Sequence, residues 1–323
     1  MRVVVLGGTR FIGRAVVEDL LRARNEVLIV HRGQHEPPEL QHVTHLHMDR
    51  SELPIRSAEL AEFRPDAVID CNALSREDAT SALSGLPQGL RLLVLSSMDV
   101  YRAWGSVLEG TETDPVPLTE ESPTRVVRFP YRGRGPEFSD YEKLDVEEEY
   151  RSFGATVCRL PFVYGERDYQ LREEFVLRRV RAGRTEIPVG SATWLWSKGY
   201  VGEIARGIRL ALESERAGEI FNLCEPRTAS MGMWIREILA SAGSEARLVH
   251  VPEDLLPEDC RLTRTVAQHV VFDPAKARDV LGWVHSDWRE CVHRSVRWHL
   301  AHPPDQSDRD FAQDDAALAA AIG

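Results

Sequence analysis

An α/β fold with a doubly wound parallel sheet is predicted by two features of the sequence and allowed by a third. The first is a short apolar segment, residues 3–6, that leads into the turn Gly7-Gly-Thr-Arg-Phe-Ile-Gly13 and then into a helix with apolar periodicity. The second is the alternation of apolar strands with helical stretches through the first half of the chain, which is typical of parallel sheets covered by helices. The third is the length of 323 residues, which is enough to bury a large core.

The turn after the first strand has the chemistry of a pyrophosphate-binding site. Backbone N–H groups at a helix start, together with the positive end of the helix dipole, attract phosphate. Gly7 permits the tight turn, and Gly13 lets the helix pack closely on the sheet. Arg10 stands where a glycine is usual, and its guanidinium can reach a phosphate with two hydrogen bonds. The residues expected to bind a dinucleotide here are Gly7, Thr9, Arg10, Phe11, Ile12 and Gly13.

The remaining elements follow in order along the chain. Apolar runs predict strands, and stretches of helical periodicity predict helices between them. Strands are expected at 27–30, 67–69, 92–95 and 156–160, and helices at 57–63, 75–84, 141–153, 170–183, 201–213 and 230–242. Residues 104–137 are rich in Pro, Gly, Thr and Glu, which predicts a long surface loop available for substrate contacts.

This pattern divides the chain into three parts. Residues 1–165 form the predicted dinucleotide-binding Rossmann domain. Residues 166–302 form mainly a smaller, C-terminal substrate-binding lobe, with some return to the Rossmann core. Residues 303–323 form a tail that is either a docked helix or partly disordered.

Composition narrows the class of protein. The formal net charge is −11 and no basic block stands out, so nucleic acid is an unlikely partner. No apolar run is long enough to span a bilayer, so no membrane is expected. The five cysteines are scattered without a Cys-x-x-Cys pair, which predicts reduced thiols and a cytoplasmic protein. A homodimer is left open.

Ordered landmarks along residues 1–300 resemble a known family. They are the turn 7–13, Leu95-Ser-Ser-Met-Asp-Val-Tyr101, the Lys143-Leu-x-Val-Glu segment, Arg159-Leu-Pro-Phe-Val-Tyr-Gly165, Phe221-Asn222 and Leu281-Gly-Trp283. Their order and spacing are similar to those of extended short-chain dehydrogenases/reductases of the NAD-dependent epimerase/dehydratase group. The Gly-Gly-Thr-Arg-Phe-Ile-Gly variant resembles an atypical branch that includes chloroplast stem-loop RNA-binding proteins.

The resemblance implies further cofactor contacts. Asp49 would accept a hydrogen bond from the adenine amine, Asn72 lies where the backbone passes over the cofactor, and Lys143 would hold the nicotinamide ribose. At the end of the second strand an NAD site usually has an acid, whereas this chain has Arg32. Because a guanidinium suits a 2′-phosphate, we expect NADP or NAD, with NADP slightly favoured; the alternative is that Arg32 is a solvated loop residue.

The resemblance also implies a catalytic Tyr, a Lys four residues later, and a Ser or Thr that binds the substrate oxygen. Lys143 fits the Lys, but Ser139 stands four residues before it. In an intact helix Tyr141, two residues from Lys143, would lie ~200° around the axis and point away. It could act only if the helix starts after it or is distorted there.

Two other residues complete the predicted catalytic set. Ser97 would bind the substrate oxygen. Asp99 is either a substitute acid/base or a residue that hydrogen-bonds the following turn. His31, His35, His42, His45 and His47 cluster in the sequence, but no acid or cysteine spacing supports a metal site, and none is expected.

Two functions remain open at this stage. The first is an NAD(P)-dependent oxidoreductase, epimerase or dehydratase that acts on a small molecule, either sugar-like or a secondary metabolite, with a catalytic set that lacks the usual Tyr. The second is a non-redox NAD(P)-binding protein with a regulatory or binding role, with RNA as a less favoured partner.

Overall fold

The structure is a computed structural model that describes residues 1–305 and 310–321. Its strands are β1 (Arg2–Leu6), β2 (Glu26–His31), β3 (Thr44–His47), β4 (Ala67–Asp70), β5 (Arg91–Ser97), β6 (Thr156–Leu160), β7 (Phe162–Tyr164), β8 (Glu186–Val189), β9 (Lys198–Tyr200), β10 (Ile220–Asn222) and β11 (Arg247–His250). Its α-helices are α1 (Phe11–Arg22), α2 (Ser57–Glu62), α3 (Arg76–Gly85), α4 (Arg102–Glu109), α5 (Lys143–Ser152), α6 (Glu174–Arg181), α7 (Val201–Glu213), α8 (Met231–Ser241), α9 (Ala275–Leu281), α10 (Trp288–Ala301) and α11 (Ala312–Ala320).

The main sheet has seven strands in the order β10-β6-β5-β4-β1-β2-β3, and every ladder in it is parallel. From β1 the chain moves outward to β2 and β3, then returns to β4 on the other side of β1 and continues to β10. The order therefore reverses between β1 and β4. In open α/β sheets a ligand crevice forms at the carboxyl ends of the strands at this reversal. The predicted doubly wound parallel sheet is confirmed.

The central strand β1 is buried on both faces, which explains why it reads as a continuous apolar run. Val3 and Val5 face one core, where they pack with Val16 of α1. Val4 faces the opposite core, which includes Leu60 of α2. Helix α7 packs against α1.

A smaller set of elements lies beside this sheet. β8 pairs with β11 and β7 pairs with β9, both in parallel. Helix α11 in the tail is docked, because Asp314 and Arg179 of α6 form a buried ion pair of 2.6 Å. The predicted boundary between the two lobes stays a prediction, and residues 306–309 and 322–323 of the predicted tail lie outside the described residues.

Two predicted elements are corrected by the structure. The predicted loop 104–137 begins inside helix α4, which Gly110 ends in the left-handed conformation (φ 72°). The predicted helix 141–153 starts at Lys143, because Glu142 is extended (φ −154°) and its side chain accepts a hydrogen bond from Leu144 N. Across residues 1–305 and 310–321, none of the helices combines the length and apolarity needed to cross a bilayer.

Candidate cofactor and active site

The turn between β1 and α1 has little room for side chains. Gly7 has φ 84°, and a Cβ on it would lie 2.9 Å from Cβ of Asn72, which follows β4. A Cβ on Gly13 would lie 2.1 Å from the carbonyl oxygen of Gly7. Both glycines therefore keep α1 and the end of β4 close to the strand, which gives a bound phosphate access to the backbone.

A cavity of about 510 Å³ opens over this turn at the carboxyl ends of β1, β2 and β4. We call it the turn cavity. Its lining includes nine of the ten predicted cofactor-binding residues: Gly7, Thr9, Arg10, Phe11, Ile12, Gly13, Arg32, Asp49 and Asn72. The structure therefore brings together residues that lie far apart in the sequence, and their contact with a cofactor stays a prediction.

The charged side chains of the turn cavity differ in how they are held. The guanidinium of Arg10 lies 4.4 Å from the ring centroid of Tyr169. Oδ1 of Asp49 accepts hydrogen bonds from Ser51 N (3.0 Å) and Ser51 Oγ (2.8 Å), so Asp49 caps a short turn. These bonds, the backbone bond above all, lower the pKa of Asp49. Arg32 is exposed at the rim.

Sequence reasoning missed a buried ion pair under the turn cavity. Arg50 lines the cavity and donates from both terminal nitrogens to Asp70 at 2.6 and 2.7 Å. The hydroxyl of Tyr150 also donates to Asp70, which is fully buried. The sequence did contain a signal for this pair, because Asp70 is a charged residue at the end of the otherwise apolar strand β4. The pair supports the backbone of Asn72, whose N–H donates to Asp70 at 3.0 Å.

Lys143, the tenth predicted cofactor residue, begins α5 and is buried below the carboxyl ends of β4 and β5. Its Nζ donates to the carbonyl oxygens of Ala73 (2.5 Å) and Leu95 (3.0 Å). Burial lowers the pKa of Lys143. Two of the three Nζ protons are therefore donated to backbone carbonyl oxygens, and the third is available for another acceptor.

Tyr141 points into the site, contrary to the expectation for an intact helix. Because α5 starts at Lys143, Tyr141 lies before the helix, which is the first of the two arrangements in which it could act. Its hydroxyl donates to Oδ2 of Asp99 at 2.8 Å. Ser139 donates to the carbonyl oxygen of Pro136 at 2.7 Å instead.

Asp99 is the centre of this polar cluster. Besides Tyr141, the hydroxyl of Tyr131 donates to Oδ2 at 3.0 Å, while Oδ1 is buried and has no hydrogen-bond partner among residues 1–305 and 310–321. The following turn is capped by Ser97, whose Oγ accepts from Asp99 N at 3.2 Å. The Asp99 carboxylate therefore accepts from the two tyrosines, while Ser97 caps the turn. Burial raises the pKa of Asp99.

A second cavity of about 400 Å³, which we call the tyrosine cavity, contains this cluster. Its polar lining includes Ser97, Asp99, Tyr131 and Tyr141, and its other walls include Trp104, Phe138, Phe162, Trp196 and Phe272. Gln170 and Arg172 line both cavities, so the two are adjacent. Tyr131 was missed from the sequence because it lies in the predicted loop, ten residues before Tyr141.

Comparison with known protein families shows which family the chain belongs to. The model of the "NAD dependent epimerase/dehydratase family" matches residues 3–224. The chain belongs to this family. The family resemblance seen in the sequence is thereby confirmed, and the adjacent cavities are those of an epimerase/dehydratase-family protein.

Two relatives of this family member are similar over much of its length. The chloroplast stem-loop binding protein of 41 kDa b of Arabidopsis thaliana is 26% identical, over 98% of this chain and 84% of the relative. The 2′-dehydrokanamycin reductase of Streptomyces kanamyceticus is 26% identical, over 67% of this chain and 59% of the relative.

Solved structures of family enzymes have the same fold. UDP-glucose 4-epimerase of Thermotoga maritima, with UDP-glucose, superposes with a TM-score of 0.71 at 19% identity, over 93% of this chain and 99% of the other. The dTDP-glucose 4,6-dehydratase of Bacillus anthracis, in complex with NAD, superposes with a TM-score of 0.73 at 15% identity, over 94% and 97%.

Proposed function

We propose that this protein is an NAD(P)-dependent oxidoreductase, epimerase or dehydratase that acts on a sugar-like or secondary-metabolite substrate. The proposal is carried by one observation: the Tyr141 hydroxyl lies 2.8 Å from the Asp99 carboxylate in a cavity adjacent to the turn cavity. This pair would replace the Tyr that the family places four residues before the lysine, where this chain has Ser139.

The turn cavity fits a nicotinamide dinucleotide. Asn72 and the backbone of the turn fill the space that a Cβ on Gly7 or Gly13 would need. Because glycine has no side chain, the backbone amides of the turn can approach the pyrophosphate. The free proton of Lys143 would bind the nicotinamide ribose. When bound, the cofactor supplies the acceptor or donor for a hydride.

The proton that accompanies a hydride transfer would move through Tyr141. When a substrate alcohol is oxidised, the Tyr141 oxygen would take the alcohol proton while its own proton passes to Asp99 Oδ2. The reverse path would deliver a proton to a carbonyl oxygen held by Ser97. The raised pKa of Asp99, caused by burial, makes this carboxylate a stronger base than an exposed one.

This path differs from catalysis by a phenolate. Burial first, and the nearby Asp99 charge second, raise the pKa of Tyr141 well above its usual value. Lys143 donates hydrogen bonds to two backbone carbonyl oxygens, those of Ala73 and Leu95. A neutral phenol that passes a proton to Asp99 therefore fits the site better than a phenolate stabilised by the lysine.

The experiment uses the full chain with each nicotinamide nucleotide and a panel of alcohols and ketones. Tyr141→Phe should lower kcat by about 100-fold or more and leave nucleotide affinity within about twofold, because it removes only the transferred proton. Tyr131→Phe is the matched control, since it removes the other phenol on the same oxygen of Asp99 and should cost less. Unchanged turnover in Tyr141→Phe would refute the proposal.

For the cofactor, we propose a preference for NADP because Arg32 lies at the rim of the turn cavity after β2. Arg32→Ala should lower the affinity for NADP by about tenfold and leave that for NAD nearly unchanged, since only NADP has a 2′-phosphate for the guanidinium to bind. Intrinsic fluorescence titration with both nucleotides measures this. Equal losses for the two would contradict the assignment.

A second candidate is a non-redox NAD(P)-binding regulatory protein. Ser139 in place of the expected Tyr favours it, as does the similarity to a stem-loop binding protein over 98% of the chain. The net charge of −11 disfavours RNA as the partner. Nucleotide binding without turnover of any panel substrate would support this candidate.

A further inference from the structure

Three histidines and one glutamate meet beside the adenosine end of the turn cavity. His31 ends β2, His45 and His47 lie in β3, and Glu36 lies in the connection between these strands. One ligand atom from each side chain can be chosen so that all four lie within 4.8 Å of one another. We call these four residues the imidazole cluster.

The backbone fixes this arrangement. His31 is paired with His47, and Ile29 with His45, in the parallel ladder of β2 and β3. Because side chains alternate along a strand, His45 and His47 project from the same face of β3. Of the four residues, only Glu36 lies outside a strand. The spacing of acids in the sequence therefore did not reveal that Glu36 joins the histidines.

We propose that the imidazole cluster binds one divalent transition-metal ion of the zinc class through His45 Nδ1, His47 Nε2 and Glu36 Oε1. Two imidazoles and a carboxylate form a ligand set that suits Zn²⁺ and leaves a fourth position open. Zinc ligands in such a site lie about 2.0 to 2.2 Å from the ion. His47 Nε2 and Glu36 Oε1 form a short hydrogen bond, so binding would move these two atoms apart and release the proton between them.

The hydrogen bonds of His45 and His31 show which ring nitrogens can bind the ion. His45 Nε2 lies 2.9 Å from the carbonyl oxygen of Leu40, so Nε2 carries the proton and the Nδ1 lone pair faces the cluster, where it accepts a hydrogen bond from His31 that the ion would replace. A histidine ligand usually donates its other N–H to such an oxygen, which fixes the tautomer. Leu40 itself is buried, so this acceptor is held in place.

In His31 the roles of the two ring nitrogens are reversed. Its Nδ1 accepts a hydrogen bond from Gly33 N at 3.1 Å, so its proton is on Nε2, 2.8 Å from His45 Nδ1. A ligand nitrogen must have a free lone pair, which Nε2 of His31 lacks in this tautomer. His31 is therefore a positioning residue that donates to whatever fills the fourth coordination position.

The ion would connect β3 to the segment between β2 and β3 that carries Glu36, close to Arg32. Because His31 and Arg32 both line the turn cavity, the imidazole cluster borders the site that would take the adenosine part of the cofactor. The inference does not depend on the proposed function, since the ligands and their geometry are independent of any reaction.

The test is calorimetric titration of the full chain with ZnCl₂, after removal of any polyhistidine tag and treatment with a chelator. Wild type should bind one equivalent, and His45→Ala and His47→Ala should each lower the affinity more than about 100-fold. His42→Ala is the matched control, because His42 is exposed and lies outside the cluster. MgCl₂ should give no binding, since Mg²⁺ prefers oxygen ligands.

Two further measurements make the assignment falsifiable even if a variant is unstable. Zinc should raise the Tm of wild type, and X-ray absorption of the zinc-loaded chain should show two imidazoles. Equal zinc affinity in wild type and the His45→Ala/His47→Ala double variant would overturn the site. Three bound imidazoles would overturn the role of His31. Thiols offer little competition, since Cys71 is half-buried and the other four cysteines are buried.

Discussion

Asp99 is the residue on which the proposed proton transfer depends. One carboxylate oxygen accepts hydrogen bonds from two tyrosine hydroxyls, while the other is buried without a partner in the part of the chain that the structure describes. A buried carboxylate with an unsatisfied oxygen is unfavourable for stability. Asp99 therefore combines a cost in folding free energy with a benefit in the proposed acid–base chemistry, and the two can be measured separately.

Asp99→Asn should separate these effects. Burial raises the pKa of Asp99 in the folded protein, so the stability that its proton contributes is complete below the unfolded pKa and is lost as pH rises through the folded pKa. Asparagine is neutral throughout. The variant should therefore unfold at higher urea concentration than wild type at pH 8, with a difference that shrinks as pH falls, while kcat drops about 100-fold or more.

The control for this prediction is Asp140→Asn, since Asp140 is an exposed acid close to Tyr141 in the sequence. It should change neither the pH dependence of unfolding nor kcat. A pH dependence of unfolding that is the same in wild type and Asp99→Asn would show that the Asp99 carboxyl is not perturbed by folding.

At the residue scale the sequence predicted much of the site. The glycine turn predicted six residues, and the end of the second strand and the family resemblance predicted Arg32, Asp49 and Asn72; the structure places all nine along one cavity. The strand-end segment predicted Ser97 and Asp99, which line the second cavity. The role of Tyr141 was not accessible from spacing. Whether its hydroxyl faces Asp99 depends on a single extended residue, Glu142, and sequence spacing carries no information on that dihedral.

At the scale of elements, the start of α5 positions the residues of the candidate active site. Glu142 is fully buried, and its carboxylate accepts from Arg125 Nη2 (2.8 Å), Phe129 N (2.6 Å) and Leu144 N (3.0 Å). It thereby caps α5 and holds the connection that carries Tyr131. Burial alone would raise the pKa of Glu142, but these hydrogen bonds lower it below its usual value.

Glu142→Ala should be strongly destabilising. The change leaves the buried Arg125 guanidinium without its carboxylate, and breaking such a pair costs about 3 to 5 kcal/mol in free energy of unfolding. Glu148→Ala on the same helix is the matched control, because this exposed glutamate pairs with Arg76 at the surface and should cost less than about 1 kcal/mol. Urea unfolding of both variants measures the difference, and equal costs would contradict the argument.

The boundaries of elements were the weakest part of the sequence-based prediction. Aspartate, asparagine, serine and threonine are the preferred N-cap residues, so a glutamate gave no clear start for α5. Helix α4 was missed because it is short and adjoins a segment rich in Pro and Gly. In both cases tertiary contacts decide the local structure, through Arg125 for α5 and through the ion pair of Arg102 with Asp114 for α4.

At the scale of the whole molecule, the parallel sheet was predictable because strands buried on both faces read as apolar runs between helices. The arrangement of the second set of elements was not, because short pairs such as β7 with β9 join residues that are 36 positions apart in the sequence and leave no periodic signal. The reversal of strand order between β1 and β4 places both cavities on the same edge of the molecule.

A nucleotide bound at this reversal should stabilise the entire fold, because it contacts the ends of several strands at once. At a concentration of NADP about 100 times its Kd, the expected gain is about 2.7 kcal/mol, or a rise in Tm of roughly 5 °C. Gly13→Ala should abolish this rise, because its Cβ would lie 2.1 Å from the Gly7 carbonyl oxygen and force α1 away from the sheet. Gly105→Ala should retain it, since a Cβ there would meet only Arg125 Cγ at 3.9 Å. Differential scanning fluorimetry of the three proteins with and without NADP decides the matter: a full thermal shift in Gly13→Ala would place the nucleotide elsewhere.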